Sequence, residues 1–174
     1  MRPAKGDRGQ TPVSPATKGI HMSLEKAQVY LRSRGYEDRI ILTEKSSATV
    51  ELAAAALGCE PGMIAKSLSL MTREGPVMIL AEGTARIDNR KFKDCFHEKA
   101  RMIPFDEVEA CTGHAPGGVC PFGANEDVRV FLDESLRKYE TVYPAAGNDH
   151  SGVRLKVGEL ESCLGYPQWV DVCK

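Results

Sequence analysis

The sequence lacks long apolar segments, an excess of basic residues and a secretory signal. No stretch approaches the roughly 20 apolar residues that a membrane-spanning helix needs, so we expect no integral membrane protein. The 23 Lys and Arg residues are balanced by 24 Asp and Glu residues, giving a net charge of −1. A large nonspecific nucleic-acid surface normally requires a basic excess, so none is expected. Because the N-terminus lacks an apolar signal segment, we expect a cytoplasmic protein.

Cysteine pairs of the kind that bind zinc or carry out redox chemistry are also missing. The six cysteines form no Cys-x-x-Cys pair, and such pairs are the usual signature of zinc ribbons and thioredoxin-like sites. In a cytosolic protein, reduced thiols are more common than disulfides. We therefore expect six free cysteines and no metal site.

The composition indicates one globular domain preceded by a tail. The chain has 174 residues, of which 42% are hydrophobic and 27% are charged, as is usual for a single soluble domain. Residues 1–22 contain three Pro, three Gly and no aromatic residue, and their net charge is +3. This composition predicts a disordered tail, either native or left over from cloning. Residues 23–174 then form the folded domain, with a net charge of −4.

Short apolar segments alternating with short amphipathic segments predict an α+β fold. We expect a mixed, curled, barrel-like sheet of six or seven short strands flanked by short helices. Ser23 is predicted to cap the first helix. The predicted strands include Ile64–Met71, Val77–Glu82, Arg101–Ile103, Val128–Leu132, Thr141–Ala145, Val153–Val157 and Gln168–Val172. The predicted helices include Thr49–Leu57, Asp88–Phe96, Phe105–Cys111, Asp133–Tyr139 and Gly158–Leu164.

Lys66 is the polar residue with the most unusual position, because it lies in an otherwise apolar strand. Strict alternation places Lys66 on the same face as Ile64, Leu68 and Leu70. A lysine on such a face is costly unless it lines a cavity or meets an anion. The alternative is an edge-strand lysine whose ammonium group reaches solvent.

The loop Gly117–Gly123 is rich in Gly and Pro, which excludes helix interior and central strand. Glycine allows backbone N–H groups to approach a ligand closely, and successive N–H groups can form an anion-binding nest or an oxyanion hole. A purely structural Ω-loop is the alternative, since Gly and Pro build such loops equally well.

Two further clusters have both a functional and a structural interpretation. Cys120 could be a catalytic nucleophile with His114 as its general base. Alternatively, Cys120 is a small buried apolar residue and His114 is a surface histidine. Asp149 and His150 lie in a polar turn between two predicted strands. They could meet a polar ligand group at a pocket rim, or simply form the turn.

Several segments together resemble the YbaK/prolyl-tRNA-synthetase-associated domain family of bacterial deacylases that edit aminoacyl-tRNA in trans. The resemblance covers about residues 23–174. It is carried by four segments that occur in order: Thr49–Ala54, Ile64–Leu68, Thr112–Gly123 and Ala146-Gly147.

The resemblance implies a cofactor-free and metal-free enzyme that hydrolyses the ester of a mischarged aminoacyl-tRNA. It implies that Lys66 is the key side chain and that the loop beginning at Gly117 lies over the ester, with no protein nucleophile. The expected partners are the acceptor 3′ end of a mischarged tRNA and, in addition, an aminoacyl-tRNA synthetase, but no membrane. The expected catalytic residues are Lys66, Gly117 and Gly118, and the expected substrate-binding residues are Val119, Cys120, Pro121, Phe122, Gly123, Asp149 and His150.

Two alternatives to this function remain open from the sequence. One is a non-catalytic RNA- or nucleotide-binding module that keeps the fold without turnover. The other is a cysteine-dependent hydrolase of a small ester, in which Cys120 is the nucleophile.

Overall fold

The computed structural model describes residues 15–174, and its side chains from residue 23 onward. The chain contains five α-helices and eight strands in this range, with short 3₁₀ turns between them. The helices are α1 (Pro15–Ser33), α2 (Val50–Leu57), α3 (Asn89–Phe96), α4 (Val108–Thr112) and α5 (Val157–Cys163). The strands are β1 (Ile40–Leu42), β2 (Ile64–Thr72), β3 (Gly75–Glu82), β4 (Arg129–Asp133), β5 (Thr141–Pro144), β6 (Ser151–Val153), β7 (Leu155–Lys156) and β8 (Gln168–Val170).

Six of the strands form one curled mixed sheet, in the order β7-β5-β2-β3-β4-β8. The pairs β2/β3 and β5/β7 are antiparallel, whereas β2/β5, β3/β4 and β4/β8 are parallel. The remaining strands, β1 and β6, form a separate antiparallel pair. The predicted fold class is confirmed.

Both faces of the central strand β3 are buried, which places hydrophobic cores on the two sides of the sheet. Met78 and Leu80 contact a core that includes Ala27 and Leu31 of α1. Val77, Ile79 and Ala81, on the other face, contact the core around Phe92 of α3. This alternation with a period of two is what a pleated strand produces.

The hairpin and the Thr49 cap that the local sequence signals predict are present, and Asp88 caps α3 as well. β2 and β3 join through a two-residue turn between Thr72 and Gly75. The Thr49 side chain accepts a hydrogen bond from the Leu52 N–H at the start of α2. The Asp88 carboxylate accepts hydrogen bonds from two N–H groups at the start of α3. These short polar side chains satisfy backbone donors that have no partner within the helix.

The beginning of the domain differs from the expectation. α1 begins at Pro15 rather than after Ser23, so Ser23 is a residue within the helix and residues 15–22 are helical. The expectation of disorder for residues 1–14 lies outside the described residues.

Three other segments differ from the predicted elements. Arg101–Ile103 contributes an isolated bridge at Met102 rather than a strand. The segment 133–139 contains a 3₁₀ turn, Glu134–Lys138, instead of an α-helix. The predicted strand Val153–Val157 is divided at Arg154, because β6 pairs with β1 and β7 pairs with β5.

The part of the chain from residue 15 onward contains no helix both long enough and apolar enough to cross a membrane. The six cysteines all lie in this part, and each is a free thiol.

Candidate active site

A cavity of about 340 Å³ lies against the edge of β2. Its walls come from α2, from β2, from the segment before α4, from the loop that follows α4, and from the end of β5. Most of the lining is apolar, and no carboxylate lines the cavity among the described residues. The residues that line it include Ser47, Thr49, Ala53, Leu57, Ile64, Lys66, Ser67, Ile103, Val108, Pro116, Gly117, Val119, Tyr143 and Ala145.

Lys66 lines this cavity and is partly buried. Its Nζ donates hydrogen bonds to the Gly83 carbonyl, at 3.1 Å, and to the Ala85 carbonyl. Burial lowers the pKa of Lys66 from its ordinary value, while the nearby Glu82 carboxylate opposes that shift. An ammonium group has three N–H donors, so the two carbonyls leave one donor for a ligand.

Glu82 is a buried carboxylate near Lys66 that the sequence analysis did not identify. Its exposed fraction is 2%. Its carboxylate accepts hydrogen bonds from the N–H and the hydroxyl of Thr84. These contacts hold the turn after β3, whose carbonyls at Gly83 and Ala85 bind Lys66. A carboxylate at the last position of an otherwise apolar strand was the available sequence signal.

The loop that follows α4 brings Gly117 to the cavity in a conformation that favours glycine. Gly117 has a φ of 90°, a region that other residues rarely adopt. Gly118 lies against the turn at residues 147–149, and a Cβ added there would be 2.5 Å from the Asn148 Cα. The N–H of Gly118 donates to the Ala115 carbonyl at 3.1 Å. Gly118 therefore contributes a close backbone contact, and its N–H is already used.

Two residues of this loop that line the cavity carry N–H groups without a hydrogen-bond partner in the described part of the chain. Within the described part of the chain, no acceptor is found for the N–H of Gly117 or of Val119. Both residues line the cavity. Free amides on one loop can serve as the donors that an oxyanion hole needs.

His114 holds the loop that follows α4 through hydrogen bonds, and it has no exposed surface. Its Nδ1 is 2.5 Å from the Ser23 hydroxyl oxygen, and its Nε2 is 2.8 Å from the Phe122 carbonyl oxygen. A carbonyl can only accept, so Nε2 carries the proton and Nδ1 accepts the hydrogen bond from Ser23. Burial lowers the pKa of His114. The surface position considered for this histidine is wrong.

Cys120 is fully buried beside His114, with its Sγ 3.6 Å from the histidine Nε2. Burial raises the pKa of its thiol to about 12. Since the thiolate is the reactive form of cysteine, a neutral thiol without solvent access cannot act as the nucleophile. The His114 Nε2, the ring nitrogen nearest the thiol, is protonated and donates to the Phe122 carbonyl. It therefore cannot accept the thiol proton as a base.

The other expected binding residues of the loop lie away from the cavity. Cys120 and Phe122 are part of the main core. Pro121 is buried between them. Gly123 has a φ of 70°, and a Cβ added there would be 2.7 Å from the Lys26 carbonyl oxygen. Of the expected substrate-binding residues, the cavity includes Val119.

Asp149 and His150 form an exposed pair in the turn beside the loop. The Asp149 Oδ1 lies 2.8 Å from the His150 Nδ1. The Asp149 carbonyl accepts a hydrogen bond from the N–H of Ser47, a cavity residue, at 2.6 Å. Neither side chain lines the cavity. Their effect on amino-acid preference stays a prediction, and it requires a part of the substrate that extends beyond the cavity.

No cluster of three or more His, Cys, Asp or Glu residues that could hold a metal ion occurs in the described residues. The groups that converge on the cavity are an ammonium, free amides and serine hydroxyls in an apolar wall. Such a set can bind an acyl ester and stabilise an oxyanion.

Comparison with known proteins shows similarity to proteins with aminoacyl-tRNA editing domains. The aminoacyl-tRNA editing domain family matches residues 44–163. YwhH of Bacillus subtilis strain 168 is 42% identical over 154 residues, which are 88% of this chain and 98% of that protein. EbsC of Enterococcus faecalis, named as a candidate Cys-tRNA(Pro)/Cys-tRNA(Cys) deacylase, is 28% identical over 64% of this chain and 70% of its own.

A solved structure shares the fold over nearly the whole domain. The crystal structure of a candidate trans-editing enzyme for prolyl-tRNA synthetase has a TM-score of 0.78 and 31% sequence identity. The alignment covers 94% of this chain and 99% of that one.

Proposed function

Because the chain belongs to the aminoacyl-tRNA editing domain family, we propose that it hydrolyses the ester of mischarged aminoacyl-tRNA, with Lys66 and the Gly117 loop positioning the substrate. The observation that carries this proposal is that Lys66, Gly117 and Val119 line one cavity. Water attacks the ester carbonyl, and the products are the free amino acid and the tRNA with its terminal hydroxyl.

The free N–H groups of Gly117 and Val119 are the donors for the oxyanion. They lie on a loop whose backbone is fixed by the contact of Gly118 with Asn148 and by the hydrogen bonds of His114. Donors that are fixed before the reaction need no rearrangement when charge develops on the carbonyl oxygen.

Lys66 acts as a hydrogen-bond donor and a positive charge rather than as a base. Its two carbonyl contacts hold Nζ beside the cavity with one N–H free. The two carbonyls and an acceptor on the substrate together need three N–H donors, which only the ammonium form provides. The free N–H then binds the ester carbonyl or a phosphate of the terminal adenosine.

Binding of tRNA through its acceptor end agrees with the charge distribution. The chain is nearly neutral overall, but the exposed Arg86, Arg90 and Lys93 lie in and before α3. Arg86 directly follows Ala85, whose carbonyl binds Lys66, and the charge of Arg86 lowers the pKa of Lys66. Lys91 has a structural role instead, because its ammonium binds Asp171 at 3.0 Å. A prolyl-tRNA synthetase is the synthetase partner that we propose.

The test is a deacylation screen across a panel of mischarged tRNAs with wild type, Lys66→Met and the control Lys138→Met. Lys138 is an exposed lysine outside the cavity. We expect Lys66→Met to lose about a hundredfold in kcat/KM, the scale for one oxyanion donor. Its Tm should stay close to wild type, because removal of a partly desolvated ammonium is offset by the loss of the hydrogen bonds to the Gly83 and Ala85 carbonyls. Lys138→Met keeps the wild-type rate.

Two outcomes would contradict the proposal. Wild-type turnover in Lys66→Met would remove Lys66 from the site. Binding of mischarged tRNA without turnover of any member of the panel would instead identify a non-catalytic binding module.

A further inference from the structure

The edge of β2 that faces the cavity has a gap in its hydrogen bonding at Ser67. Before the gap, β2 pairs with β5 at Ala65. After it, the Ser69 carbonyl accepts a hydrogen bond from the Ile103 N–H at 3.0 Å. Between these two contacts, β5 has ended and the segment around Ile103 has not yet begun to pair.

The backbone groups of Ser67 point into this gap. Residues of an antiparallel pair alternate between positions that bond to the partner strand and positions that point away from it. Since Ser69 bonds on the side away from β3, Ser67 directs its N–H and C=O to that side as well. Within the described part of the chain, neither group has a hydrogen-bond partner.

The surface of Ser67 agrees with this orientation. The residue is partly exposed and lines the cavity. Its hydroxyl oxygen, however, is buried and has no hydrogen-bond partner. The atoms of Ser67 that a ligand can reach are therefore those of the backbone and Cβ. A backbone carbonyl left without a partner in an apolar wall is costly, and a bound donor removes that cost.

We propose that the Ser67 carbonyl binds the α-ammonium group of the aminoacyl ester, an inference that rests on the proposed deacylase function. An ammonium needs acceptors, and no carboxylate lines the cavity among the described residues. Two hydroxyl oxygens of the wall already accept hydrogen bonds. The Ser47 Oγ accepts from the Ser151 N–H, and the Thr49 Oγ1 accepts from the Leu52 N–H.

The placement also separates the two cations. The Lys66 ammonium is held by carbonyls of the turn after β3, whereas the Ser67 carbonyl points away from β3. The substrate ammonium at Ser67 and the lysine ammonium thus lie on different sides of β2. The ester carbonyl, next to the α-carbon, can then reach the loop amides. This subsite selects acyl groups that carry an α-amino group, whatever their side chain.

The first test compares alanyl and propionyl esters on the same acceptor-stem RNA, which differ only in the α-amino group. Each catalysed rate is divided by the rate of spontaneous hydrolysis, because the amino group also activates the ester chemically. We expect the rate enhancement for the propionyl ester to be at least about tenfold lower, the scale of a hydrogen bond to a charged group. Equal enhancements would overturn the inference.

The second test does not depend on turnover. Non-hydrolysable 3′-alanylamino and 3′-propionylamino analogues of adenosine are titrated into labelled protein, and the carbonyl carbon resonances are followed by NMR. The Ser67 resonance shifts with the alanyl analogue and not with the propionyl one. Ser69 is the matched control, because its carbonyl is already bonded to Ile103. Equal responses of Ser67 to both analogues would contradict the assignment.

Ser67→Ala distinguishes the carbonyl from the hydroxyl. The substitution removes a buried hydroxyl without a partner, so the fold is retained. The preference for the alanyl ester persists if the carbonyl is the ligand, and its loss would assign the subsite to the hydroxyl. If wild-type protein cleaves no member of the panel of mischarged tRNAs, the deacylase proposal fails, and the analogue titration still decides the subsite.

Discussion

The Ser23 hydroxyl and the His114 Nδ1 are 2.5 Å apart and join α1 to the segment that leads into the glycine loop. Both residues are almost completely buried, with exposed fractions of 2% and 0%. Because the other ring nitrogen of His114 donates to the Phe122 carbonyl, the imidazole ties α1 to both ends of the loop. The rigidity that we assign to the loop amides depends on this pair.

Ser23→Ala is expected to destabilise the fold by about 1–3 kcal/mol, because it leaves a buried imidazole nitrogen without its partner. Chemical denaturation measures the free energy of unfolding. Ser33→Ala is the matched control, since its hydroxyl also lies in α1 but is exposed, and its effect should stay within about 0.5 kcal/mol. Equal stability of Ser23→Ala and wild type would show that the hydrogen bond contributes nothing.

The stability of the protein is expected to decrease as the pH falls below about 6.5, the unperturbed pKa of histidine. Burial lowers the pKa of His114 in the folded state, so the unfolded chain takes up a proton first. The stabilisation is complete above the unfolded pKa and is lost as the pH falls through the folded pKa. Carboxylates titrate mainly below about 4.5, so a change above that value reports on histidine, and a variant of His114 isolates the contribution of this residue.

Urea denaturation at pH 7.5, 6.5 and 5.5 measures this dependence. His114→Gln, which keeps a donor and an acceptor at the same place, should be less stable than wild type at pH 7.5 and show a flatter profile between pH 7.5 and 5.5. A profile with the same slope in wild type and variant would assign the dependence to other groups.

The elements that were predicted correctly are those whose signals are local. The β2–β3 hairpin follows from alternation on both sides of a polar turn, and the cap at Thr49 follows from a side chain that bonds to an N–H three residues later. The division at Arg154 was not predictable in this way. It depends on pairing with β1, which is more than a hundred residues earlier in the chain.

In the candidate site, too, features with a local sequence signal were predicted and features that depend on distant residues were not. Lys66 was identified because a charged residue within an apolar strand is unusual over a span of a few residues. The partner of His114 is Ser23, 91 positions away, so no local pattern could indicate that this histidine is buried and neutral. The free edge at Ser67 depends on where β5 separates from β2, which only the assembled sheet shows.

The loop glycines provide the last prediction. Gly117→Ala places a Cβ where φ is 90° but where the nearest atom is 3.5 Å away. The protein should therefore fold, with a cost of about 1–2 kcal/mol for the left-handed conformation, and lose turnover because the adjacent amides move. Gly118→Ala meets the Asn148 backbone at 2.5 Å and should be the less stable of the two. Deacylation rates and melting temperatures measure both effects.

Cys120→Ser is the control for this series, because it changes the buried thiol and leaves the loop backbone in place. The serine hydroxyl can donate to the Phe122 carbonyl, as the thiol does at 3.6 Å, so turnover should stay close to wild type. Iodoacetamide should also leave turnover unchanged, because burial raises the pKa of the Cys120 thiol to about 12 and the residue has no exposed surface. If Cys120→Ser abolished turnover while Gly117→Ala retained it, the reaction would depend on the thiol, and the loop amides would lose the role proposed for them.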